Sequence, residues 1–215
     1  MSTQEWGRVY SLNASQETMI AAEIAKNRTA IEAIILSQPG LSEQCVSSLS
    51  TTINETLAEL KMLLNVHSID VAIANIAPNV LAHAKKYRLP NGTAWGIVVL
   101  GTDFLCQLDE QMLSTENPQL WKWRLQFVLA HEAKHIQQHG KFPTFLAKEL
   151  QMFDGSLKTW HGMRNEFAAN LFALNYLMGK PKQTPTDRLG ANTILQQQFE
   201  RLQTFSCAPH FLKRR

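Results

Sequence analysis

The chain has 215 residues, 45% of them hydrophobic, and a formal net charge of +3. That length can bury a sizeable core in one domain with an appended helical piece. No run approaches the ~20 apolar residues of a membrane span, Glu5 in a polar N-terminal stretch argues against a secretory signal, and apart from the tail Leu212-Lys213-Arg214-Arg215 no basic run suggests a nucleic-acid surface.

A soluble cytoplasmic protein without a membrane or nucleic-acid partner is therefore expected. Cys45, Cys106 and Cys207 are odd in number and far apart, so they read as free thiols rather than a disulfide framework or a zinc knuckle.

In chain order, Asn13 and Gln16 offer a capping box, and Ile20, Ile24, Ile31 and Ile35 keep helical spacing until Gln38-Pro39-Gly40 stops the run. Val46, Leu49, Ile53, Leu57, Leu60 and Leu64 then recur by threes and fours, the spacing of a helix laid against another helix. An antiparallel hairpin over residues 1–65 follows, read as a brace on the core in preference to a partner-binding arm.

Ile69, Val71 and Ile73 alternate as a strand does, and Pro78 is expected to open a short helix ending near Leu89-Pro90. Asn91-Gly92 marks a turn. Trp95, Ile97 and Val99 alternate again within TAWGIVVLG, a second strand placed directly before the next helix. Thr93 to Gly101 is thereby the candidate sheet edge for docking an extended peptide, with Val98 presenting its N–H.

Asn117-Pro118 supplies a helix start and Gly140 a left-handed stop, with Leu125, Leu129, Ala133 and Ile136 as the core stripe between them. A further helix carries Met163, Phe167, Leu171, Leu174 and Met178 and ends at Gly179 and Pro181; a last one carries Leu189, Ile194, Leu195, Phe199 and Leu202. The fold class is α+β, predominantly helical. Residues 1–65 form the hairpin, 66–183 the core with its small sheet, and 184–215 a packing helix and basic tail.

Residues 131–135 read HEAKH, a run that a chain of this composition carries by accident about once in a hundred. On a helix His131 and His135 stand one turn apart on one face and can close on a single metal ion, with Glu132 beside them as general base. A catalytic zinc normally takes three protein ligands. Glu166 is the best third, and Asn170, one turn on, can accept a hydrogen bond from a ligand histidine.

His139 lies eight residues from His131, about 12 Å along an unbroken helix, and cannot share that ion unless the helix breaks early. The metzincin pattern fails because Gly140 is misplaced. His161 remains open as an alternative ligand or as a donor to the developing oxyanion, a role for which Arg164 and Tyr176 are also candidates.

FVLAHEAKHIQQH followed by RNEFAANLFALNYLM resembles the ImmA/IrrE metallopeptidases, a gluzincin group, at His131, Glu132, His135 and His139, then Glu166, Ala169, Asn170, Phe172 and Ala173. The strand-like TAWGIVVLG fits that group's layout, while Lys134 stands where the family usually has glycine. The resemblance covers roughly residues 90 to 180. It implies a minimal zincin core, one Zn²⁺ per chain on His131, His135 and Glu166, Glu132 as catalytic base, and a transcriptional repressor as protein substrate.

The expected function is zinc-dependent endopeptidase cleavage of a specific intracellular protein. The alternative is a non-catalytic zincin-fold regulatory protein, which the retained Glu132 disfavours. A DNA-associated protease of the SprT-like kind would need a third histidine ligand and a strongly basic or cysteine-rich accessory region.

Overall fold

The computed structural model describes residues 14–77, 80–139, 155–182 and 184–206. Helix α1 (Ala14–Leu36) turns Ile20, Ile31 and Ile35 inward. Helix α2 (Glu43–Leu64) starts where the Ser42 side chain accepts from the Cys45 N–H, and it stops at Asn65, which takes the left-handed conformation at φ 50°. The two helices pack together as the expected hairpin. Asn54 Nδ2 donates to the Ile24 carbonyl at 2.7 Å, and Lys61 pairs with Glu23 at 2.8 Å. Asn13 of the expected capping box lies outside the described residues.

Three strands follow: β1 (Ile69–Ala74), β2 (Ala82–Arg88) and β3 (Ala94–Gly101). Their order is β1-β3-β2, with β1 parallel and β2 antiparallel to β3. Two expectations are corrected here. The segment expected as a short helix ending near Leu89 is strand β2; Pro78, its expected start, lies outside the described residues. And β3 is the central strand, paired on both sides, so it offers no edge to a peptide.

The β2–β3 turn does sit at Asn91-Gly92, where Gly92 has φ +85° and Asn91 Oδ1 accepts from the Thr93 N–H. Helix α3 (Thr102–Met112) leaves β3 without a loop and buries Phe104, Leu105 and Leu108. It was not expected from the sequence, which placed β3 directly before the helix with the paired histidines.

That helix is α4 (Leu120–His139), with Leu125, Leu129, Ala133 and Ile136 fully buried as expected. It begins three residues after Asn117, whose carbonyl closes a turn with the Leu120 N–H and whose side chain reaches Thr193. Gly140, the expected stop, lies outside the described residues. Helix α4 crosses the sheet so closely that a β-carbon on Gly96 would stand 2.4 Å from the Lys85 carbonyl oxygen and 2.8 Å from Ile136. Only glycine fits.

Helix α5 (Gly155–Gly179) pairs with α4, and α6 (Pro185–Ser206) packs across both. One continuous apolar core runs from the hairpin through the sheet to α5 and α6. Among the described residues no helix is long and apolar enough to cross a membrane.

Candidate metal centre

Helix periodicity assembles the site. His131 and His135 lie one turn apart on α4, and Glu166 and Asn170 one turn apart on α5, so two pairs at i, i+4 face each other across the helix contact. The two histidine Nε2 atoms stand 3.0 Å apart. Glu166 brings one carboxylate oxygen to each, at 3.2 Å from His131 and 3.1 Å from His135. The three ligand atoms are within 4.8 Å of one another, a grouping that could hold a metal ion.

The opposite ring nitrogens explain why these atoms converge. His131 Nδ1 meets Asn170 Oδ1 at 3.0 Å, and His135 Nδ1 meets Gln138 Oε1 at 2.9 Å. Gln138 is fixed in that sense because its Nε2 donates to the Asn165 carbonyl on α5 at 3.1 Å. An amide oxygen only accepts, so both Nδ1 atoms carry the hydrogen, and in the neutral rings both Nε2 lone pairs point at each other and at the carboxylate. Such a set of electron pairs needs a cation or a shared proton among them. Its chemistry, two imidazole nitrogens and a carboxylate, suits a first-row divalent ion, zinc included.

The electrostatics agree. Hydrogen bonds from His131 and then His135 hold the Glu166 carboxyl far below the usual carboxylate range, against the opposing effect of burial. Burial acts most strongly, against a charged His135 ring, but the bond and charge of Glu166 together with Glu132 and Gln138 outweigh it and the net shift is upward.

Glu132 stands apart from the ligand set. Its carboxylate is 4.0 Å from His131 Nε2 and only 9% of the residue is exposed. Burial raises its pKa, partly offset by the two histidines. A carboxyl moved upward and left beside the ligands is suited to carry protons.

Of the sequence candidates, His131, Glu132, His135, Glu166 and Asn170 come together here. Tyr176 does not join them: its hydroxyl donates to Glu59 of α2 at 2.7 Å, Lys180 binds the same carboxylate, and burial lifts the phenol well above its ordinary range. The side chains of His139, His161 and Arg164 lie outside the described residues. Gln138 was missed. Its signal was present in HIQQH, since a residue at i+3 from His135 shares that histidine's side of the helix.

The cleft is completed by β2: Ala82, His83, Ala84 and Lys86 line it with His131, Glu132, His135 and Glu166. Comparisons of the chain with protein-family models, with curated proteins and with solved structures gave no match.

Proposed function

We propose that the protein is a zinc-dependent endopeptidase of the gluzincin type, resembling the ImmA/IrrE group in HEAKH and in the NEFAAN segment. The observation that carries this is the convergence of His131 Nε2, His135 Nε2 and both Glu166 oxygens, with the buried Glu132 carboxylate beside them but uncommitted to them. A purely structural ion needs no such carboxylate.

His131, His135 and Glu166 would hold the zinc, which when bound supplies Lewis acidity to a peptide carbonyl and makes an attacking water more acidic. Glu132 takes the proton of that water and delivers it to the departing amine. Asn170 and Gln138 keep both imidazoles in the Nδ1–H form with Nε2 turned inward.

Strand β2 holds the substrate. Leu89 and Leu81 bond β3-side residues through Thr93 and Gly101, so the odd-numbered residues of β2 face β3 and the even-numbered ones turn their N–H and C=O to the open edge. Ala82, Ala84 and Lys86 can thus pair with an extended peptide lying in the cleft. Main-chain pairing accepts any sequence, so an unfolded linker in one partner protein, such as a repressor, is the expected substrate.

Elemental analysis should find about one zinc per chain, weakened or lost in His131→Ala, His135→Ala and Glu166→Gln. Glu132→Gln should keep zinc and lose at least ~10²-fold in cleavage of a randomised decapeptide library read by mass spectrometry. Protein that refuses added zinc, or a Gln variant as fast as the parent, overturns the proposal.

A further inference from the structure

Resting on that peptidase assignment, we infer that the cleft selects an extended peptide bearing an acidic side chain, and that Lys86 is the residue that reads it. Side chains directly opposite across a strand pair point to the same face. Gly96 pairs with Lys86, and its missing β-carbon points at Ile136 of α4, so Lys86 projects on the α4 side of the sheet. Ala84 and Ala82, opposite Val98 and Leu100, share that side. His83, Lys85 and Tyr87 fall on the other, where Tyr87 stacks on Trp95 with ring centroids 4.3 Å apart.

A peptide paired to the even-numbered edge therefore meets methyl groups at Ala82 and Ala84 and an ammonium at Lys86. Lys86 is exposed, lines the cleft, and among the described residues is in no ion pair. Ile136 stands against the partner of Lys86, which puts the lysine at the level of the α4 turn carrying His135. The charge is thus beside the reacting centre and reads a substrate residue within a few positions of the cut bond.

His83 also lines the cleft, beside Glu132, and Arg88 follows two residues on from Lys86 with the same orientation. The carboxylates of the cleft, Glu132 and Glu166, lie against the histidines instead. A substrate Asp or Glu opposite Lys86 has its β-carbon about 5 Å from that of the lysine, within reach of a direct pair. A substrate Lys or Arg at the same position is repelled.

The test is the same decapeptide library with wild type, Lys86→Ala and Lys86→Glu, each checked for zinc content and for an unchanged circular dichroism spectrum. Wild type should enrich Asp and Glu about threefold to tenfold at one fixed distance from the cut, less in 0.5 M salt. The alanine variant should lose that enrichment and the glutamate variant should replace it with Lys and Arg at the same distance. Cleavage whose selectivity is the same in all three proteins overturns the acid subsite and leaves the peptidase standing. No cleavage by zinc-loaded wild type overturns both.

Discussion

Replacing Gln138 with alanine takes away two hydrogen bonds at once: the acceptor of His135 Nδ1 at 2.9 Å and the donor to the Asn165 carbonyl at 3.1 Å. The first fixes which nitrogen of the ring carries hydrogen and how the ring is turned. Without it the imidazole samples the other tautomer and other angles about its side-chain bonds, and each departure withdraws Nε2 from the pocket. Losing such a partner behind a ligand histidine typically costs 10–100-fold in metal affinity, about 1.4–2.7 kcal/mol.

The second bond joins α4 to α5 at a carbonyl that keeps its own helix partner, so its loss costs about 1 kcal/mol in folding stability. The two effects separate by assay. Zinc affinity is measured by competition with a chromophoric chelator, and stability by urea unfolding of the metal-free protein. Asn170→Ala removes the corresponding partner of His131, and because the two rings meet at 3.0 Å and share Glu166 the double variant should depart from the product of the two single factors. Zinc affinity within twofold of wild type for Gln138→Ala, in protein shown to be folded, would refute the claim that this amide orients the ligand.

Gly96→Ala should destabilise the fold by roughly 1–3 kcal/mol in urea unfolding, because its β-carbon has no room between the Lys85 carbonyl and Ile136; an unchanged midpoint would show that α4 moves away freely. Burial, with Asp109 beside it, pushes the Cys45 thiol up to about 12, so at pH 8 iodoacetamide should label the exposed Cys106 and spare Cys45. The sign for stability follows: a folded pKa above the unfolded one means the contribution is intact below about pH 9 and is lost as pH rises toward 12. A Cys45→Ala variant whose alkaline stability falls in parallel with the parent would count against it.

The helices were largely legible because an amphipathic helix writes its core face at a fixed period. Leu125, Leu129, Ala133 and Ile136 show it, and Glu166 with Asn170 show how a functional face can be read off the same period. Strand β2 was not legible. Its sequence AHAKKYR has no alternating apolar residues, since one side of an edge strand faces a polar cleft, and Ala and Lys favour helix where tertiary pairing does not overrule them.

For β3 the clue was in plain view. Val98, Val99 and Leu100 form an unbroken apolar run, buried on both faces, which is the mark of a central strand rather than an edge. Helix α3 escaped notice because Gly101 passes straight from strand to helix with no loop between them. Gln138 escaped because its i+3 spacing shows only that it can meet His135, while the Asn165 carbonyl of α5 is what turns its amide oxygen to the ring.

Gln138 has one further consequence. Its amide is at once the bracket behind a ligand ring on α4 and a clasp to the backbone of α5. Glu166 and Asn170 span the same gap in the other direction. A metal ion held by His131, His135 and Glu166 would therefore couple filling of the site to docking of the two helices, and at a thousand times its dissociation constant would add about 4 kcal/mol to folding stability. Were a metal ion held there, the protein's resistance to unfolding would track how much of that metal surrounds it.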